Sequence, residues 1–221
     1  MPSKAQPSQT MTSPSGSTYT LIRDAVLDGT YEPGAPLVEL VLAKQYGVSR
    51  TPIREALTRL EQDGLVVRGA RGLVVRERSP EEILDIYEAR LVLEAAVVEA
   101  AAKRHTQLDR VRIENAVRGC EAATGHPEKM VAANDAFHRA IWLSSHNEAF
   151  IGLLEQLRLH LVRYPGTTIS YPGRWEESLE EHRQITKAIV DRDSDAASRL
   201  AREHFEHARD VRVKLWENEL S

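Results

Sequence analysis

A chain of 221 residues, 42% hydrophobic, 28% charged and 5% aromatic, can bury one large core or two small ones, which excludes a disordered solvating chain. A net charge of −4 excludes a polycation, and the lone cysteine, Cys120, excludes an internal disulfide framework or a Cys-rich zinc module. No apolar run approaches the ~18 residues that span a bilayer, and the N-terminus lacks the apolar segment of a secretory signal, so a cytoplasmic chain with a disordered polar tail at 1–16 and no membrane partner is expected.

Residues 17–28 read as a helix, with Leu21, Ile22, Ala25 and Val26 on one stripe and Gly29 as the stop. Residues 31–36, YEPGAP, carry turn chemistry. Residues 37–46 form a second helix ended by Gly47, and residues 48–63 a third, capped by Ser49 or Thr51, with Pro52 tolerated in its first turn and Gly64 closing it. In residues 65–75, LVVRGARGLVV, two β-branched runs flank a Gly-rich tip and predict a hairpin. Three helices and a hairpin over 17–76 make a winged helix-turn-helix. The second helix of such a pair enters the major groove by its N-terminal turn. Here that turn carries Ser49, Arg50, Thr51 and Arg54, and the two arginines share a face at i,i+4. Arginine is the commonest bidentate reader of guanine, and hydroxyls suit phosphates. Arg68 and Arg71 flank the hairpin tip beside Gly69 and Gly72, which let backbone approach a groove. The plainer reading is a solvated arginine pair and an incidental basic turn. Charge favours the first weakly: residues 1–78 carry a net +2 and residues 79–221 a net −6.

Residues 34–64, GAPLVELVLAKQYGVSRTPIREALTRLEQDG, closely resemble the signature of the GntR family of bacterial transcription regulators. The resemblance implies that Ser49, Arg50, Thr51, Pro52 and Arg54 contact double-stranded DNA, with Gly72 at the wing. Some relatives carry a DNA-contacting arginine where this chain has Leu40, so no such role passes to Leu40. Dimers of such modules read palindromic operators, which implies a homodimer.

Past a short polar link at 76–79, Ser79-Pro80-Glu81-Glu82 is a capping-box start, and six helical segments follow, at roughly 80–105, 107–123, 127–145, 148–163, 175–192 and 194–217. Thr106 and Ser194 stand at N-cap positions, and 164–174 is the long connection. The expected fold is therefore mainly α: a winged helix-turn-helix followed by an antiparallel six-helix bundle over 80–217.

His138, His182 and His204 each sit in an apolar stripe of a different bundle helix. Three inward imidazoles can be satisfied core residues, or they can ligate Zn, Ni, Fe or Mn, because neutral imidazole is a preferred ligand and bundle cores build metal sites from facing helices. His105, His126 and His146 lie at helix ends, while His160 and His207 have no assignment. Arg90, among Ile86, Leu93 and Val97, either clamps a carboxylate effector or pairs with Glu94 at i,i+4.

The segments EARLVLEAAVVEAA (88–101), NDAFHRAI (134–141) and EHRQITKAI (181–189), together with His204, resemble the FadR-type C-terminal domain, FCD, of GntR regulators, and six helices resemble its shorter VanR-like subgroup. The resemblance implies that Asn134, His138, His182 and His204 hold a divalent metal whose open positions take a small organic acid effector. Asn134 supplies a neutral amide oxygen where a carboxylate is the more favourable ligand, and Asp135 is the substitute. Four neutral ligands leave the metal charge uncompensated, which weakens metal binding and strengthens attraction for an anion. The function expected is an effector-responsive transcription regulator acting as a repressor. A metal-dependent enzyme or a metal-sensing regulator using the same histidines is the alternative. Against the enzyme, the chain lacks a nucleophile elbow, an H-E-x-x-H, a P-loop and a dinucleotide fingerprint, and no catalytic residue is assigned.

Overall fold

The computed structural model describes residues 17–70, 72–161 and 168–219. They fall into two compact units, divided between Glu77 and Arg78.

The first unit begins with α1 (Thr18–Leu27), where the Ser17 hydroxyl accepts from the Thr20 N–H and frees one donor of the first turn from solvent. α2 (Glu39–Tyr46) stops at Gly47, whose φ of 66° turns the chain sharply into α3 (Arg50–Gln62). Ile22, Val26, Leu42, Ile53, Leu57 and Leu60 close the core between these helices. Ser49 stands at the N-cap of α3 without a side-chain hydrogen bond. β1 (Val66–Gly69) pairs antiparallel with β2 (Gly72–Val75), Val66 opposite Val75 and Gly69 opposite Gly72. Residues 34–36, read from sequence as part of a turn, and Leu37, read as the start of the second helix, also lie along β2: Leu37 N–H donates to Leu73, and Val75 N–H to Ala35. Gly34 and Pro36 read as turn residues and conceal that extended edge, where a missing N–H is tolerated.

The second unit is all helical among its described residues: α4 (Pro80–Arg104), α5 (Gln107–Ala123), α6 (Pro127–Ser144), α7 (Glu148–Leu161), a 3-10 turn (Thr168–Ser170), α8 (Arg174–Val190) and α9 (Ser194–Glu219). The capping box at Ser79 and Glu82 is formed, and Thr106 forms another with Asp109. At the start of α9 the cap is Asp193, whose carboxylate accepts from the Ala196 N–H, and Ser194 is already helical. α4 packs along α9, α5 on α6 and α8 on α9, around Val97, Ile113, Phe137, Ile141, Trp142, Leu154 and Ile189.

Asp109 joins two helix ends. Its carboxylate accepts from the Thr106 N–H and hydroxyl and pairs with the His146 ring at 2.8 Å. Burial pushes this carboxyl up, but those hydrogen bonds outweigh it and hold it at about 2, below the ordinary 3.8. A depressed carboxyl stabilises the fold fully above its unfolded pKa and loses that contribution as pH falls through the folded value. Asp109→Ala is therefore expected to cost about 1 kcal/mol at neutral pH, the usual worth of a cap. Its stability should also fall less steeply than the parent's from pH 4 to pH 2, as urea unfolding at the two pH values will measure.

Candidate functional site

On the first unit, Ser49, Arg50, Thr51 and Arg54 are exposed on the first turns of α3, Pro52 is half-buried, and Arg68 and Gly72 are exposed on the hairpin. Arg71 lies outside the described residues. The exposed face of α3 follows from its amphipathic pattern: Ile53, Ala56, Leu57 and Leu60 point inward and leave positions 50 and 54 to solvent. A groove of about 680 Å³ is bordered by Glu39, Leu40, Arg50, Arg54, Arg68 and Gly72. Gly72 has a φ of 126°, a conformation that side chains disfavour, so the tip of the hairpin needs glycine there.

Glu39, which lies in the signature stretch but received no role from the sequence, organises this face. One oxygen accepts from Arg50 Nη2 (3.0 Å) and Arg54 Nη2 (3.1 Å), the other from Arg54 Nε (3.1 Å). The two guanidinium groups hold its carboxyl down at about 2. Arg68 similarly donates to Glu61 at 3.1 Å.

In the second unit, His138 of α6, His182 of α8 and His204 of α9 meet, with ring centroids 5.0–5.3 Å apart. Each offers a ring nitrogen within 4.8 Å of the others. All three are buried. Burial lowers the pKa of each, most strongly for His138 and His182; neighbouring imidazoles and Arg174 add to this for His138 and His182, while Glu181 opposes it at His204. The rings are thus neutral, the form in which imidazole binds a cation. Neither ring nitrogen of His182 has a hydrogen-bond partner, and neither has the buried Asn134 Oδ1. Orphaned buried polar atoms are rare and costly, so the unpartnered nitrogens of His182 among three converging imidazoles fit a ligand set. Asp135, the substitute considered for Asn134, is committed elsewhere: its carboxylate accepts from Arg158 at 3.1 Å.

Beside the imidazoles lies a cavity of about 160 Å³, lined among others by Arg90, Asn134, His138, Arg174, Ser178 and His204. Both readings of Arg90 have their geometry. Its Nη2 donates to Glu94 at 2.9 Å, and the same side chain lines the cavity. Glu94 is fully buried, takes a second hydrogen bond from Trp142 Nε1 (2.7 Å), and is pushed up by burial against the pull of Arg90.

Two residues here received no site role from the sequence. Arg174 opens α8 almost wholly buried, although a charge in a first turn ordinarily reads as solvated. Glu181, adjacent in sequence to His182, faces α9 instead and accepts from His204 Nδ1 (2.6 Å), Arg174 Nη2 (2.7 Å) and His207 Nδ1 (2.7 Å). Such a carboxylate fixes the orientation and tautomer of the imidazole it accepts from. The remaining histidines serve elsewhere: His105 is buried against the Ala101 carbonyl, His126 is exposed beside Glu128, His146 pairs with Asp109 and His160 meets Arg78.

Residues 85–207 match the family model for the FCD domain, and residues 14–75 that for bacterial regulatory proteins of the gntR family. The HTH-type transcriptional regulator YdhC of Bacillus subtilis is 30% identical over 197 residues, 86% of each chain. The HTH-type transcriptional repressor GlaR of Escherichia coli is 28% identical over 198 residues, 85% of this chain and 90% of that one. Among solved structures, McbR/YncC of Escherichia coli superposes with a TM-score of 0.73 at 23% identity, over 90% of this chain and 96% of the other. A transcriptional regulator GntR from Rhodococcus sp. RHA1 gives 0.69 at 25% identity, over 89% and 95%. No helix among the described residues is long and apolar enough to cross a membrane.

Proposed function

From the premise that the chain belongs to the GntR family of bacterial regulatory proteins and carries the FCD domain, we propose that it is a repressor released or engaged by a small carboxylate effector bound beside a divalent cation in its helical domain. That the chain is a DNA-binding transcription regulator, as its relatives are, follows from the family itself. The single observation supporting the finer reading is the convergence of the buried His138, His182 and His204, with unpartnered nitrogens on His182, beside a cavity lined by Asn134 and by guanidinium groups. His138, His182 and His204, with Asn134 Oδ1, would hold the cation; it supplies two positive charges and open positions for carboxylate oxygens. Four neutral donors leave those charges uncompensated until an anion arrives.

Ser49, Arg50, Thr51, Pro52, Arg54, Arg68 and Gly72 form the DNA-reading surface, and a homodimer presents two of them to a palindromic operator. An effector shifts operator affinity only by as much as it binds the DNA-competent and incompetent arrangements differently.

Zinc or nickel added to metal-stripped protein is expected to raise the melting temperature, and metal analysis of gently purified protein to find a bound cation. Unchanged melting with no cation retained would overturn the metal reading.

A further inference from the structure

We propose that Leu40, in the first turn of α2, reads sequence by packing on the 5-methyl group of a thymine in the operator. The proposal rests on the reading of the face around Arg50 and Arg54 as the DNA-reading surface, and adds an apolar contact to it.

Leu40 is 67% exposed, more than any other large apolar side chain among the described residues. A leucine alone in solvent needs no explanation. This one has particular neighbours. It follows Glu39, whose carboxylate holds both the Arg50 and the Arg54 guanidinium groups, so it lies one residue from the tie that joins α2 to the first turns of α3. Leu40 also borders the groove that those two arginines and Arg68 line, and the exposed Val38 borders it too. A duplex whose base edges reach Arg50 and Arg54 therefore meets an apolar surface beside them.

The major groove offers such a surface one partner. Every base edge there presents donors and acceptors, and the thymine methyl is the one apolar group among the four base pairs. A leucine pressed on a donor, an acceptor or a phosphate strips water from a polar group and returns no hydrogen bond. Pressed on the methyl, it lets two apolar surfaces leave water together. The core side chains of the reading helix do not supply this contact, because Ile53, Ala56, Leu57 and Leu60 of α3 point inward. The two helices thus divide the work by chemistry: guanidinium groups of α3 take guanine edges, and α2 takes a thymine next to them.

The test uses the full chain and an operator selected from a randomised pool of duplexes. Exchanging its thymines for uracil one at a time removes the methyl and leaves every hydrogen-bonding atom in place. At one thymine of each half-site the exchange is expected to weaken binding about fourfold at fixed salt, the worth of one methyl group withdrawn from water. Leu40→Ala should bind the parent operator and that uracil duplex equally. Arg54→Ala, weaker on both, should keep the parent's ratio between them. An unchanged melting temperature shows that Leu40→Ala is folded, as its exposure leads one to expect. If no uracil exchange weakens binding, Leu40 has no such role. The same follows if Leu40→Ala still tells thymine from uracil, as it would were the exposed Thr51 the residue that meets the methyl. Arg50→Ala and Arg54→Ala chains that both bind the operator as the parent does would overturn the reading of the face itself, and this proposal with it.

Discussion

Leucine at His182 is expected to abolish the stabilisation that zinc gives the chain while leaving the metal-free protein about as stable as the parent. The two halves of this result have separate causes. A ligand that binds only the folded state stabilises it by about 4 kcal/mol at a thousandfold excess over Kd, and removing a central ligand removes that gain. In the metal-free state the His182 ring, stacked on Phe137 with centroids 3.9 Å apart, is fully buried with both nitrogens unpartnered. An apolar side chain of similar size keeps the packing and discards two unsatisfied polar atoms, so it costs at most about 1 kcal/mol. Calorimetric melting with and without zinc measures both. A variant that still responds to zinc like the parent would remove His182 from the ligand set. A variant already crippled without metal would make the ring a structural core residue.

Arg54→Ala is expected to weaken binding to the operator by about 1–3 kcal/mol at fixed salt and to relax the base preference at one position of each half-site. The operator can be obtained by selecting duplexes from a randomised pool with the parent chain. What competes with the base contact is the pair of bonds from Arg54 to Glu39, made at an exposed surface where ion pairs are worth little, so exchange toward the base is favourable. Arg68→Ala should behave differently. Without that guanidinium the hairpin neutralises one phosphate fewer, which weakens selected and random duplexes alike and makes the salt dependence shallower by roughly one counterion. Unchanged operator affinity in Arg54→Ala would take that residue off the reading surface.

Much of the molecule was legible in the chain because it is written locally. Helix starts at Ser79 and Thr106 follow from side chains that satisfy amides three residues away, the sharp end of α2 follows from Gly47, and the exposed arginines of α3 follow from the apolar stripe behind them. The inward faces of His138, His182 and His204 were readable for the same reason: helical spacing with apolar neighbours is a property of one helix at a time. Asn134 and Arg90 came from resemblance and from a single stripe, and each lines the cavity.

Tertiary structure alone decided which faces meet. Glu181 and His182 are neighbours in sequence yet serve different surroundings, because successive helical residues point about 100° apart and α9 approaches only one of them. Glu39 reaches Arg50 and Arg54 from another helix, Trp142 donates to Glu94 from 48 residues away, and Arg174 is buried at a helix start where sequence favours solvent. The physical reason is common to all of them. Capping and periodicity are settled within one or two turns of backbone. The partner of a buried charge is chosen by the packing of helices far apart along the chain, which short-range spacing does not encode.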